Sequence, residues 1–170
     1  MTWATDRLDG LIAGGVELPP VVTTLGLGVV EAWGPGWVRK GWTPRPEVLN
    51  GDGSLFGGYL AALADQVLAF ATMTVVPDTA YFRTTQLQIQ FFRVGRAHPL
   101  EIEARVLAQT KQLISVEADF RRPDGELIAK ASAQQVLTPN TALAPERTAS
   151  GAVLTAHDPA DHPTRDPLSL

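Results

Sequence analysis

The stretch from Leu55 to Val76, LFGGYLAALADQVLAFATMTVV, constrains the fold more than any other part of this chain. Leu60, Leu63, Ala64, Val67, Leu68 and Ala71 follow the i, i+3, i+4, i+7 spacing of a helix. Ala61, Ala62, Phe70 and Val75 fill much of the remaining circumference. A helix from about Gly57 to Val76 is therefore expected to be enclosed rather than half exposed. A bilayer span would carry Asp65 near its centre at a cost of roughly 2.5 to 3.5 kcal/mol, so burial inside protein is the better reading.

What wraps the helix follows from the change of period after Pro77. Leu87, Ile89 and Phe91 alternate with Gln86, Gln88 and Gln90, the two-residue repeat of a strand with one core face over 85–91. The same alternation recurs over 100–108, 112–120 and 127–137. The links are short, and Pro123-Asp124-Gly125 has the residues a turn prefers, so the four strands pair antiparallel. Upstream, runs rich in Val and Trp between Leu27 and Trp42 flank Gly34-Pro35-Gly36 and read as a hairpin or bent strand pair. A sheet with one apolar face needs a cover, and only the helix can supply it. The expected fold class is α+β, a long helix wrapped by a curved antiparallel sheet.

One domain is expected over 1–138, with 1–25 as a lead-in that has a helical hint at Asp6 to Ala13 and a Pro-Pro break at Pro19. Residues 139–170, proline-rich and without an aromatic residue, read as a tail. Acidic residues outnumber Lys and Arg by 18 to 14, so nothing draws the chain to nucleic acid or anionic lipid. The absence of cysteine excludes disulfides and thiolate nucleophiles. No basic region followed by an apolar core opens the sequence, and the expected location is the cytoplasm.

Asp65 is the only charge between Leu55 and Pro77. An unpartnered buried carboxylate loses hydration worth several kcal/mol. It is either half of a structural ion pair or subunit contact, or a base or nucleophile in a pocket. The start of the helix favours chemistry. Gly57 and Gly58 carry no side chain, and the free N–H groups of a first turn suit an oxyanion. Eight residues separate Gly57 from Asp65, roughly 12 Å along the axis, too far to grip one small atom from one helix. An extended substrate or a site shared by two subunits would reconcile them.

Sharper motifs fail. Gly53 and Gly58 have phosphate-loop spacing, but Tyr59-Leu60 stands where Lys-Ser/Thr is required. Phe56 occupies the third glycine position of a dinucleotide fingerprint, and no serine lies in G-x-S-x-G. His98, His157 and His162 have no metal-ligand company, so no metal site is expected.

Asn50, Gly51, Gly53, Phe56-Gly57-Gly58, Leu63 and Asp65, followed by Thr85 and the strand pattern to Leu137, resemble the hotdog-fold acyl-CoA thioesterases of the PaaI type, related to 4-hydroxybenzoyl-CoA thioesterases. The resemblance covers roughly 25–137. It implies a five- or six-stranded sheet around a central helix, dimers with joined sheets, and often tetramers. It implies that Asp65 is the catalytic carboxylate, that Gly57 gives its N–H to the thioester carbonyl, and that Asn50 helps hold water or substrate. Phe56, Gly58, Tyr59 and Thr85 would line the substrate, with Arg93, Arg96 and Lys111 as cations for coenzyme A. The site would lie between subunits, and no cofactor is needed beyond the coenzyme A of the substrate.

The implied activity is hydrolysis of medium-chain or aromatic acyl-CoA. The chain departs from the family at Phe56, where a His is usual, and at Ala69, where a hydroxyl residue is common. Phe56 favours a second reading, a non-catalytic hotdog protein that binds acyl-CoA or serves as an assembly module. A hydratase would want a His at position 70, which is Phe70.

Overall fold

The computed structural model describes residues 1–140. His157, His162 and the tail from position 141 lie outside the described residues. Pro139, expected to begin the tail, instead ends a strand and pairs with Ala80.

Helix α1 (Trp3–Ile12) starts on a capping box in which Thr2 and Thr5 exchange side-chain and backbone hydrogen bonds. Its Ala4, Leu8 and Leu11 are buried, so the lead-in contributes to the core. Helix α2 (Pro20–Leu25) opens on proline, whose missing N–H costs nothing there, and closes on left-handed Gly26. Strands β1 (Ala32–Gly34) and β2 (Trp37–Trp42) form the expected hairpin. Then come α3 (Gly57–Met73), β3 (Ala80–Phe91), β4 (Leu100–Gln109), β5 (Leu113–Arg121) and β6 (Leu127–Pro139).

The six strands form one antiparallel sheet in the order β1-β2-β4-β5-β6-β3. α3 lies across it: Leu63, Ala64, Val67, Leu68 and Ala71 face the buried Ile102, Ile114, Val116, Phe120, Ala131 and Ala133. The alternation read from β4 and β5 is the observed burial, with Ile102 and Ala104 inside and Glu101 and Glu103 outside. The outer face is tied by ion pairs across strands, Arg105 and Lys130 to Glu117 and Lys130 to Asp119.

Two expectations need correction. β3 does not bury its apolar file: Leu87 and Phe91 are exposed and Ile89 is half-buried. Their orientation was read correctly, because they pair with the inward Ala133, Ala131 and Ala129. β3 is the sheet's edge, and a single helix covers only the strands beneath it. The second correction is Asp65, which is exposed. Gly58, Asp65 and the half-buried Ala61, Ala62 and Ala69 form a line along α3 that the described residues leave open. The helix is not enclosed on that side.

β2 also buries a charged side chain. Lys40 shares the inward side with Val38 and Trp42 and is 1% exposed. Its ammonium donates to the Leu27 carbonyl and, at 3.0 Å, to Gln66 Oε1; Gln66 Nε2 in turn donates to the Gly28 carbonyl at 2.8 Å. This arrangement ties the segment after α2 to α3. Burial pushes the Lys40 ammonium down to about 8, against the opposing pull of Glu31.

Candidate active site

The loop before α3 is shaped by its own side chains. Asn50 Nδ2 donates to Ser54 Oγ at 2.9 Å and to the Leu55 carbonyl at 3.3 Å, and Gly53 takes the left-handed conformation that lets the turn close. Asp52 accepts from the Ser54 N–H and hydroxyl, and those bonds hold its carboxyl below the usual range. Asn50 therefore positions the approach to the helix with both bonds of its amide nitrogen.

α3 begins without a capping side chain: Phe56 is the N-cap and offers none. The N–H groups of Gly57 and Gly58 are the first of the helix and have no intrahelical partner. Each glycine instead carries a ring. A Cβ on Gly57 would lie 3.1 Å from Phe91 Cζ, and one on Gly58 would lie 2.6 Å from Phe56 Cε1. The double glycine seats two aromatic side chains at the positive end of the helix. Beside it lies a groove of about 410 Å³ lined by Ser54, Leu55, Gly57, Leu60 and the segment from Phe91 to Gly95.

Two turns further along, Asp65 Oδ1 accepts from the Thr84 hydroxyl at 2.9 Å. Thr85, expected to line the substrate, lies one residue further along and makes a different contact. Pairing with β6 slips by one between Thr84 and Gln86, so Thr85 is the extra residue of a β-bulge and its hydroxyl goes to the Gln134 carbonyl at 3.2 Å. Even-numbered residues face inward before the bulge and odd-numbered ones after it. Thr84 thereby reaches Asp65, and Leu87, Ile89 and Phe91 keep their facing. No sequence signal marks the bulge.

The other expected residues divide. Tyr59 donates its hydroxyl to the Leu25 carbonyl and stacks on Trp42 at 5.3 Å, so it docks the end of α2; burial pushes its phenol up. Arg93 lines the groove and pairs with Glu126 at 2.6 Å, and Arg96 donates to the Asp52 carbonyl at 3.4 Å. Lys111 lies in the β4–β5 turn, where neighbouring Gln109 bonds to Val75 beyond the far end of α3. Within one protomer the helix, about 25 Å long, separates Lys111 from the two arginines. Among the described residues no group of His, Asp and Glu is arranged to hold a metal ion, and no helix is long and apolar enough to cross a membrane.

Residues 52–129, from the loop before α3 into β6, match the Thioesterase superfamily. The crystal structure of a phenylacetic acid degradation-related protein of Ralstonia eutropha JMP134, which bears a provisional thioesterase name, is 28% identical and superposes with a TM-score of 0.68. The likeness covers 76% of this chain and 98% of that one. A protein of Saccharolobus solfataricus with a provisional esterase name is 33% identical over 87 residues, 51% of this chain. The chain spans 61% of that relative's length. A hypothetical thioesterase of Streptococcus pneumoniae TIGR4, solved with coenzyme A, shares the fold at a TM-score of 0.60 and 22% identity, over 65% of this chain and 84% of that one. A central helix crossed by one six-stranded antiparallel sheet, with these matches, defines a hotdog fold. The chain shares the hotdog fold, and over residues 52–129 it is similar to the Thioesterase superfamily.

Proposed function

We propose that this protein hydrolyses acyl-CoA thioesters. The observation that carries the reading is the uncapped start of α3, where the Gly57 and Gly58 N–H groups adjoin an apolar groove while Asp65, on the same helix, is exposed and held by Thr84. Asp65 takes a proton from water as its oxygen attacks the thioester carbonyl carbon. The Gly57 N–H receives the developing oxyanion. The C–S bond then breaks and coenzyme A leaves as a thiolate. A thiol of reference pKa about 8.5 needs no strong acid to depart, which suits a site where Asp65 is the carboxylate the helix supplies. No cofactor is required beyond the substrate's own coenzyme A.

Gly57 and Asp65 are too far apart on one helix to serve one carbonyl, so the reading assigns them to facing protomers. The edge supports it. β3 offers a long row of unpaired backbone groups beside exposed Leu87 and Phe91, and the open line of α3 lies on the same side. Antiparallel pairing of β3 with its copy would cover both and build a homodimer, with a dimer of dimers as the next level of assembly. Phe56, Phe91 and Phe92 favour a medium-chain or aromatic acyl group, with Arg93 and Arg96 near the anionic end. Acyl-CoA chemistry and a chain without cysteine fit the cytoplasm.

The test is release of free thiol from a panel of acyl-CoA thioesters, from acetyl to medium-chain and aromatic. The reading expects turnover strongest with the larger acyl groups. The exposed Phe56 ring, at the position where the family resemblance implies His, favours the alternative of a non-catalytic acyl-CoA binder or assembly module. That alternative expects saturable binding with no thiol released.

A further inference from the structure

The inward file of β6 is Ala129, Ala131 and Ala133, small residues that let α3 approach. Gln135 takes the next inward place and is 0% exposed. It pairs with Thr84 across β3 and with Ile114 across β5. Gln135 Oε1 lies 3.1 Å from Thr84 Oγ1, which lies 2.9 Å from Asp65 Oδ1, while Gln135 Nε2 is buried without a partner.

These contacts cannot all be hydrogen bonds as they stand. A hydroxyl has one proton, and Thr84 faces two acceptors. An ionised carboxylate only accepts, so the proton belongs to Asp65. The two ends of an amide fill the same space, and turning the Gln135 amide over brings Nε2 to Thr84. The contacts then run in one direction: Gln135 N–H to Thr84 oxygen, Thr84 O–H to Asp65 Oδ1. The buried unpaired donor is gone, and an under-satisfied carbonyl, which proteins tolerate better, takes its place.

We propose that Gln135 is a positioning residue for Asp65, acting through Thr84: it fixes the hydroxyl proton toward Oδ1 and so leaves Oδ2 aimed at the water. The proposal rests on the reading of Asp65 as the base. The amide and hydroxyl touch no substrate. Their effect is on the orientation of the carboxylate, so it falls on kcat and leaves KM alone.

The test measures thiol release by Gln135→Met, Thr84→Val, Thr84→Ser and the Gln135→Met/Thr84→Val double variant, each first shown folded by circular dichroism. The expected loss in kcat is about tenfold or more for Gln135→Met and for Thr84→Val, with KM unchanged within about twofold. The double variant should be no slower than Thr84→Val, because both act through one chain, and Thr84→Ser, which keeps the hydroxyl, should recover part of the rate that Thr84→Val loses. Wild-type kcat in Gln135→Met, or multiplied losses in the double variant, would overturn the proposal. Gln135→Leu replaces Gln135→Met if the latter does not fold, and failure of both to fold would assign Gln135 to stability alone. Asp65→Asn separates the two readings. If it turns over at the wild-type rate the base reading fails, and if it is inactive while Gln135→Met is unimpaired only this proposal falls.

Discussion

Thr84 donates its hydroxyl to Asp65 at 2.9 Å across the gap between β3 and α3, and a one-residue bulge at Thr85 makes that contact. The carboxylate is thus held at the open side of the helix. Removing the bulge would exchange Thr84 for Thr85 and reverse the facing of everything before it.

The edge role of β3 predicts how the protein assembles. Ile89→Lys places a charge on the half-buried file that the second protomer would cover. The variant should sediment as a monomer and lose thioesterase activity by at least about tenfold, since each site would lose one of its halves. Analytical ultracentrifugation beside the thiol assay decides it. A wild-type protein that is monomeric and active would contradict the shared site.

The rings on Gly57 and Gly58 are both exposed, but only the one on Gly57 bounds the groove. Gly58→Ala meets only the tip of Phe56, an exposed side chain that can swing away, and gains up to about 1 kcal/mol of helix propensity. Its urea midpoint should be equal to or above the wild type. Gly57→Ala shifts Phe91, which lines the groove, so it should cost activity more than stability.

Lys40 gives a pH signature with a definite sign. Its folded-state value of about 8 lies below the ordinary 10.5, so between those two pH values the unfolded chain binds more protons. Stability from this group therefore rises with pH across that window, by on the order of 2 to 3 kcal/mol at most. Comparing urea midpoints of the wild type and Lys40→Met from pH 7.5 to 10.5 should show the wild type gaining relative to the variant. Parallel curves would refute the depressed ammonium.

Periodicity made α3, β4 and β5 legible, because Leu63, Ile102 and Val116 are buried for the same reason that they recur. It misjudged what depends on neighbours in space. Leu87 and Phe91 alternate like core residues but sit on an edge that none of the described residues covers. Asp65 looked enclosed because its sequence neighbours are apolar, yet it stands on a line of α3 that the described residues leave open. The contact of Thr84 with Asp65 was not legible, because the bulge that makes it leaves no mark in composition. Lys40 could have been found: it falls in the two-residue repeat of Val38 and Trp42, where a charge must have buried partners.

The most direct test of the account is the steady-state rate of thiol release by Asp65→Asn beside the wild type, on the acyl-CoA that the wild type turns over fastest. Loss of the general base predicts a fall in kcat of about a hundredfold or more, with substrate still bound. Equal rates for the two proteins would show that Asp65 is not the base.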